Sequence, residues 1–343
     1  MVRFGTLHGF MALMLLMGTV NILLLKFQLM QVSPLRPAGE PRPFDAPWLQ
    51  AAFMMVGELL CLPIFMAVRS EEEASTAAKV PAWVFLVPCA CDLTATAIMC
   101  MGIAFIAVSV AQMCRGTIVV FVCAMSWFFL GRRQKSDQLL GIALVVLGIG
   151  LVSWSALDSV AASENASSKP LLLGILLCIL AQVFQASMFV YEEKIMSQHP
   201  VQPLQVVGME GLFGVCISVV VLAALYPLGL ADTPGHIHQI RSSPRLLASV
   251  LASMLSVALF NFAGASITQR SSALARTTIK ISSTGLIWIC ELSCGWNTFR
   301  LLQLVGFINV AAGTLVYNRL VSLPWLDAAE EPILRAKTGH GEA

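Results

Sequence analysis

Gln138-Leu139-Leu140-Gly141-Ile142-Ala143-Leu144-Val145-Val146-Leu147-Gly148 and Gln303-Leu304-Val305-Gly306-Phe307-Ile308-Asn309-Val310-Ala311-Ala312-Gly313 are one pattern written twice. Each opens with glutamine, two aliphatic residues and glycine, and each sets a second glycine seven residues on. Val145 and Val310 hold the same place between the glycines. Seven residues make about two helical turns, so each glycine pair lines one helix face and lets a neighbouring helix come close. The pattern predicts close packing at both faces and a duplicated chain.

Working outward, the 343 residues are 57% hydrophobic and 12% charged, more apolar than a soluble domain can hide, so the chain is read as a polytopic membrane protein. A bilayer core of about 30 Å needs about 20 apolar residues per helix. That ruler yields about ten spans, at about 6–28, 47–68, 81–105, 109–131, 137–157, 170–191, 203–227, 245–266, 272–294 and 299–320. The first run is too long for a signal-peptide core and is read as a retained span. The stretch 81–130 must turn back near 107–109, which makes spans three and four a tight hairpin.

The repeated motif opens spans five and ten, so the expected units are 1–158 and 159–323, followed by a disordered tail at 324–343. Five helices per unit is an odd number, so the second unit enters the membrane upside down. The expected fold is an all-α membrane protein of ten transmembrane helices arranged as a 5+5 inverted repeat, with a site near the midplane. The connections, among them 34–45 and 231–245, read as short polar loops. Most Lys and Arg outside the spans fall on the side of the N-terminus, which predicts both termini in the cytosol. The sequon Asn165-Ala166-Ser167 then lies on the lumenal side. A net charge of +2 without a basic tail argues against a nucleic-acid partner. The ten cysteines sit mostly in apolar runs, as small hydrophobes rather than metal ligands. No cofactor and no metal are expected.

Polar residues within spans are costly and therefore candidates for function. Span four carries Gln112 and Arg115 near its start, and span nine carries Arg276 near its start. Span two carries Glu58, and span seven carries Glu210 among Gly208, Gly211 and Gly214. Asp92 lies about halfway along span three, where it serves either as a proton site or as a static partner of Arg115 across the hairpin. Glu58 and Glu210 read as a proton relay or gate, or as hydrogen bonds between helices, the latter favoured for Glu58. Span nine is the most polar. Arg276, Lys280, Ser283 and Thr284 share one helical face and suit an anionic group such as a phosphate or carboxylate, while Arg276 alone could also snorkel. Asn261, Gln182 and Gln185 are amides that either bond a substrate or join helices. Lys26 is expected to snorkel. Glu192, Glu193 and Lys194 are expected as a solvated cluster, the favoured reading, or as a gate contact to the loop of Arg132, Arg133 and Lys135. His236 and His238 lie in a loop, where histidine could sense acidity.

Several stretches together resemble a known family. They are Pro47-Trp48-Leu49-Gln50 with Gly57-Glu58, Cys91-Asp92-Leu93-Thr94, Gln112-Met113-Cys114-Arg115-Gly116, Phe129-Leu130-Gly131-Arg132-Arg133, Tyr191-Glu192-Glu193-Lys194, Gly208-Met209-Glu210-Gly211-Leu212-Phe213-Gly214 and Phe260-Asn261-Phe262-Ala263-Gly264. Spread in order over nearly all spans, they resemble the drug/metabolite transporter superfamily, in particular the F branch of solute carrier family 35. The resemblance implies a ten-helix inverted-repeat carrier in an endomembrane, lysosomal or vacuolar or Golgi, with kinship to nucleotide-sugar transporters.

The expected function is secondary transport of a small anionic metabolite by alternating access. Arg115, Gln112, Arg276, Lys280, Ser283, Thr284 and Asn261 are the expected substrate ligands, with Asp92, Glu210 and Glu58 for proton coupling or gating. A rival is a proton-coupled exporter of cationic or amphipathic compounds, in which the carboxylates meet the substrate. A non-transporting scaffold or receptor is a third reading. The chain lacks H-E-x-x-H, G-x-x-x-x-G-K-[ST] and G-x-S-x-G, so no enzyme is expected. The expected partners are a small-molecule substrate and the lipid bilayer, with a homodimer left open.

Overall fold

The computed structural model describes residues 2–35, 41–69, 80–103, 105, 114–132, 134–161, 168–295, 299–318 and 320–321. Gln112, the turn expected at 107–109, Arg133, the sequon at 165–167 and the tail from 324 lie outside them.

The chain opens with α1 (Val2–Met30), a hairpin of β1 (Val32–Pro34) and β2 (Pro41–Pro43), α2 (Pro47–Leu59) and α3 (Cys61–Val68). A 3-10 turn at Ala82–Phe85 leads into α4 (Leu86–Ile103), then α5 (Ile118–Leu130) and α6 (Ser136–Ala161). After these come α7 (Ser168–Gln198), α8 (Pro203–Leu225), α9 (Thr233–Ser242), α10 (Pro244–Arg270), α11 (Ala273–Ser293) and α12 (Leu301–Tyr317).

The punctuation is legible. Proline stands in the first turn of α2, α8 and α10, where its missing N–H costs nothing. Ser272 caps α11 by accepting from Ala275 N at 3.1 Å. Gly131, at φ +63°, ends α5 in the left-handed conformation, and the Arg132 N–H closes back on Ser126 O at 3.3 Å. Pro63 denies an N–H to the preceding turn, and helix two breaks at Leu60 into α2 and α3.

Among the described residues, six helices are long and apolar enough to cross a membrane: Thr6–Met30, Pro47–Val68, Ala82–Gly102, Leu172–Gln198, Pro203–Leu225 and Pro244–Arg270. Cys114–Leu130, Ser136–Leu151 and Leu301–Tyr317 are apolar but shorter. The ninth predicted span is α11, whose Arg276, Lys280 and Glu291 make it the polar helix of the set. Apolar side chains face outward as well as inward. Trp127, Phe128 and Phe129 are 60%, 77% and 62% exposed, a surface that suits lipid and not water.

The helices pair in a regular way. α1 packs on α10 and α11, and α7 packs on α4 and α5. α2 packs on α10, and α8 on α4. α5 lies against α6, and α11 against α12. Two pairs close the arrangement, α2 with α8 and α6 with α12. In the second of these the duplicated motif meets itself. A Cβ on Gly141 would strike Tyr317 N at 2.7 Å and Gly313 O at 2.8 Å, and one on Gly148 would strike Gly306 O at 2.5 Å. The two helices run antiparallel with Val145 and Val310 buried between the glycine contacts, so the close approach read from the spacing is present. Gly208 and Gly211 likewise press α8 onto the break in the second helix, against Leu62 and Leu59 backbone.

Among the described residues, two connections on the face opposite the N-terminus carry secondary structure. Gln239 of α9, fully buried, donates through Nε2 to Ser33 O at 2.9 Å and Arg42 O at 3.1 Å, which fixes the proline-rich hairpin beneath it. Pairing there involves three residues per strand, too few for an alternating pattern to register in the sequence. His236 and His238 belong to this cap, bonded through Nδ1 to Gln239 Oε1 at 2.8 Å and Pro34 O at 3.3 Å.

Candidate functional site

The site is built around α11. Arg276, one turn into that helix, is 1% exposed. Its Nη1 donates to Glu192 Oε2 at 2.5 Å and its Nη2 to Asn261 Oδ1 at 3.2 Å. The guanidinium lies 4.2 Å from the centre of the Phe189 ring. On its other side Gly264 leaves the space it needs, since a Cβ there would lie 2.5 Å from Arg276 Nε. Asn261 passes the connection on, its Nδ2 donating to Glu58 Oε1 at 2.6 Å. One chain of hydrogen bonds therefore links α2, α10, α11 and α7 through Glu58, Asn261, Arg276 and Glu192. A guanidinium and a carboxylate this deep are tolerable only because their charges offset each other, although Arg276 Nε and Glu192 Oε1 have no hydrogen-bond partner among the described residues.

The hydroxyls of α11 mostly bond their own helix. Thr277 donates to Ala273 O at 2.8 Å, Thr278 to Ala275 O at 2.9 Å and Ser283 to Lys280 O at 2.6 Å. Ser283 faces α1 at Gly18 beside Phe260, and Thr284 is half-buried.

Lys280 and Arg115 differ from Arg276. Both are half-buried, and among the described residues neither makes a hydrogen bond or ion pair. The Lys280 ammonium lies 5.0 Å from the Phe189 ring centre, on the ring that also receives Arg276. Arg115 and Arg276 are the cations acting on Lys280, with Asp92 and Glu192 as the opposing charges. Arg115 follows Cys114, which is buried with Met99, Cys178 and Ala181, and a Cβ on its other neighbour, Gly116, would meet Ile149 of α6.

The expected partnership of Asp92 with Arg115 is not formed. Asp92 Oδ1 accepts from Gln185 Nε2 at 3.0 Å instead. Cys114, which precedes Arg115, packs on Met99, about two turns or ~11 Å of helix beyond Asp92. Glu210 is 4% exposed, its Oε1 has no hydrogen-bond partner among the described residues, and Glu192, Glu58 and Asp92 lie within its electrostatic reach.

Of the two readings of Glu192 and Glu193, the solvated cluster is not formed, since they are 1% and 3% exposed, whereas the contact to Arg132 is made by Glu193. Helix α7 continues to Gln198 instead of ending near Tyr191, and the added turns bring both acids into the packed interior. Lys26, expected to snorkel, has an acidic partner near the end of α1. Its Nζ pairs with Glu291 Oε1 at 2.8 Å. Sequence reasoning therefore missed Glu192, Phe189 and Gly264. The available signal was that a membrane-embedded arginine demands a carboxylate, and Tyr191-Glu192-Glu193 sets two acids directly at the end of a span.

Comparison with known proteins follows from this geometry. The family described as SLC35F, solute carrier family 35, matches residues 10–319. The Homo sapiens protein named Solute carrier family 35 member F6 is 34% identical over 325 residues, covering 90% of this chain and 87% of that one. The Schizosaccharomyces pombe protein named Uncharacterized protein C12G12.12 is 30% identical over 246 residues, covering 69% and 74%. A crystal structure shares the fold with a TM-score of 0.64 at 13% identity, over 93% of this chain and 99% of that one.

Proposed function

Because the chain belongs to solute carrier family 35, in its F branch, and is a multi-pass membrane transporter, we propose that it carries a small anionic metabolite by alternating access between two inverted five-helix halves. The observation carrying the anion reading is the pair Arg115 and Lys280. These are two half-buried cations within each other's field, and among the described residues no carboxylate bonds either. Two desolvated cations on facing helices attract an anion, and the guanidinium can bind a phosphate or carboxylate with two parallel hydrogen bonds. Arg276 has a different part. Its Nη1 and Nη2 are engaged by Glu192 and Asn261, so it braces the site and sets the position of Lys280 one turn on.

The inverted repeat is supported by the helix contacts. Exchanging α1 with α7, α2 and α3 with α8, α4 with α10, α5 with α11 and α6 with α12 turns the packing of α1 on α10 into that of α7 on α4. The same exchange converts α1 on α11 into α7 on α5, and α2 on α10 into α8 on α4. The pairs α2 with α8 and α6 with α12 map onto themselves, as elements on a pseudo-two-fold axis do. The proposed setting is an endomembrane with both termini cytosolic, in keeping with Arg3, Arg132, Lys135, Lys194 and Arg270 on one face.

Counterflow in liposomes containing the full chain tests the assignment, with nucleotide sugars, nucleotides, organic phosphates and carboxylates as probes. Arg115→Ala and Lys280→Ala should each lower uptake of the accepted anion at least about tenfold, the loss of one charge-assisted contact. Unchanged uptake of every accepted anion in both variants refutes it. A second reading rests on the carboxylates. Glu58, Asp92, Glu192 and Glu210 lie within one another's reach, which favours a proton-coupled exporter of cations with Asp92, Glu210 and Glu58 as the coupling or gating groups. Inhibition of transport by cations and not by anions would select it.

A further inference from the structure

Two ion pairs lie at opposite ends of α11, and the proposed function uses neither. At its first turn, Glu193 of α7 accepts from the Ala273 backbone N–H through Oε2 at 2.8 Å and pairs through Oε1 with Arg132, just past α5, at 2.8 Å. Arg132 also donates to Ser271 O at 2.9 Å, so one acid and one base draw α5, α7 and the α10–α11 corner together. At the far end, Glu291 of α11 pairs with Lys26 of α1 at 2.8 Å.

The two ends lie on opposite faces. Tyr317 at the end of α12 meets Ser272, and Arg270 covers the Phe10 ring at 4.6 Å, so the first pair is on the face where α1 begins and α12 ends. Lys26 lies near the end of α1, on the other face. Each pair joins the end of the first helix of one half to the end of the fourth helix of the other half. The polarity is reversed, with acid on α7 and base after α5 at one face, and base on α1 and acid on α11 at the other.

We propose that Arg132–Glu193 and Lys26–Glu291 are the two gates of the transport cycle, one per face, and that this structure holds both closed. The proposal rests on alternating access between the two halves. Exposure separates these pairs from the Arg276–Glu192 pair. Side-chain exposure is 45% and 3% for Arg132 and Glu193, and 33% and 18% for Lys26 and Glu291, against 1% and 1% for the inner pair. When such a pair opens, the exposed partner is hydrated at once, and at the first gate the buried Glu193 keeps its bond from the Ala273 N–H. A pair buried on both sides gains no such hydration. Since α11 is tied at both ends, releasing one end shifts the population toward the state that keeps the other end closed.

Hydrogen exchange of the purified full chain, read by mass spectrometry on peptides covering 270–276 and 286–294, tests this. Arg132→Ala should raise exchange at 270–276 and lower it at 286–294. Lys26→Ala should do the reverse, each by about two- to five-fold, the range of a pair with one exposed partner. The swapped variant Lys26→Glu with Glu291→Lys should restore the wild-type pattern, and it covers the case in which a single alanine variant fails to fold. If each substitution loosens only its own end, the pairs are independent staples and the gates are refuted. Counterflow of the anion probes is measured in parallel. Reciprocal exchange without counterflow removes the anion-transport reading and leaves the gates, whereas counterflow without reciprocity removes the gates and leaves the transport reading.

Discussion

Removing Glu192 should cost far more than removing Glu192 together with Arg276. The two side chains are each 1% exposed and bonded at 2.5 Å, so Glu192→Ala leaves a guanidinium in the interior with only Asn261 Oδ1 and the Phe189 face. Breaking a buried pair from one side costs ~3–5 kcal/mol, because the remaining charge has lost its solvent and gained nothing. Replacing both groups by apolar residues of similar volume, Glu192→Leu with Arg276→Met, removes the desolvation penalty along with the attraction. That exchange is typically neutral or stabilising. The double variant should therefore unfold at a denaturant concentration at or above that of the parent, and Glu192→Ala well below it. The assay is equilibrium unfolding of the detergent-solubilised protein, followed by tryptophan fluorescence. If Glu192→Ala and the double variant unfold together with the parent, the ion pair does not determine how α7 meets α11, and the reasoning fails. Transport in the stable double variant would show in addition whether the pair does anything beyond bracing.

Gly264→Ala should destabilise by ~1–3 kcal/mol, since its Cβ falls on an Arg276 side chain pinned by Glu192, Asn261 and Phe189, and a lower unfolding midpoint reads it. Gly148→Leu should force α6 away from α12 at Gly306 and Val310, and a large drop in the yield of monodisperse protein on size exclusion is the expected result. Phe189→Leu keeps the volume roughly but removes the π face under two cations. It should cost ~1–2 kcal/mol in the same unfolding assay, more than Phe→Leu at Phe85, which is equally buried and has no cation above it among the described residues.

The sites of helices were legible because membrane spans obey a local rule. Apolar residues must continue for about 20 positions, and glycine, proline and serine punctuate the ends. Arg276 could be singled out for the same reason, since its cost depends on depth and depth is counted along the chain. Its partner could not be identified that way. Asp92 was an equally acidic candidate for an arginine, and Glu192 lay past the last apolar residue of a span whose helix continues to Gln198. Apolar counting registers where lipid contact ends, whereas the helix ends where its backbone bonds do.

The amino-acid sequence by itself determined that this chain is a membrane protein of many apolar helices, that a glycine motif recurs at 138–148 and 303–313, and which few polar residues lie within the spans. Each of these is a property of neighbours along the chain. Only the tertiary structure decided that the two glycine motifs pack on each other, that Asp92 bonds Gln185, and that Arg276 is bound while Arg115 and Lys280 have no bonded carboxylate among the described residues. Glu192 and Arg276 are 84 positions apart, and Asp92 and Gln185 are 93 apart. Which carboxylate reaches which cation depends on axial register between helices packed side by side. One turn of slip moves a side chain about 5.4 Å, beyond the reach of a hydrogen bond, and no periodicity within a single helix encodes that offset.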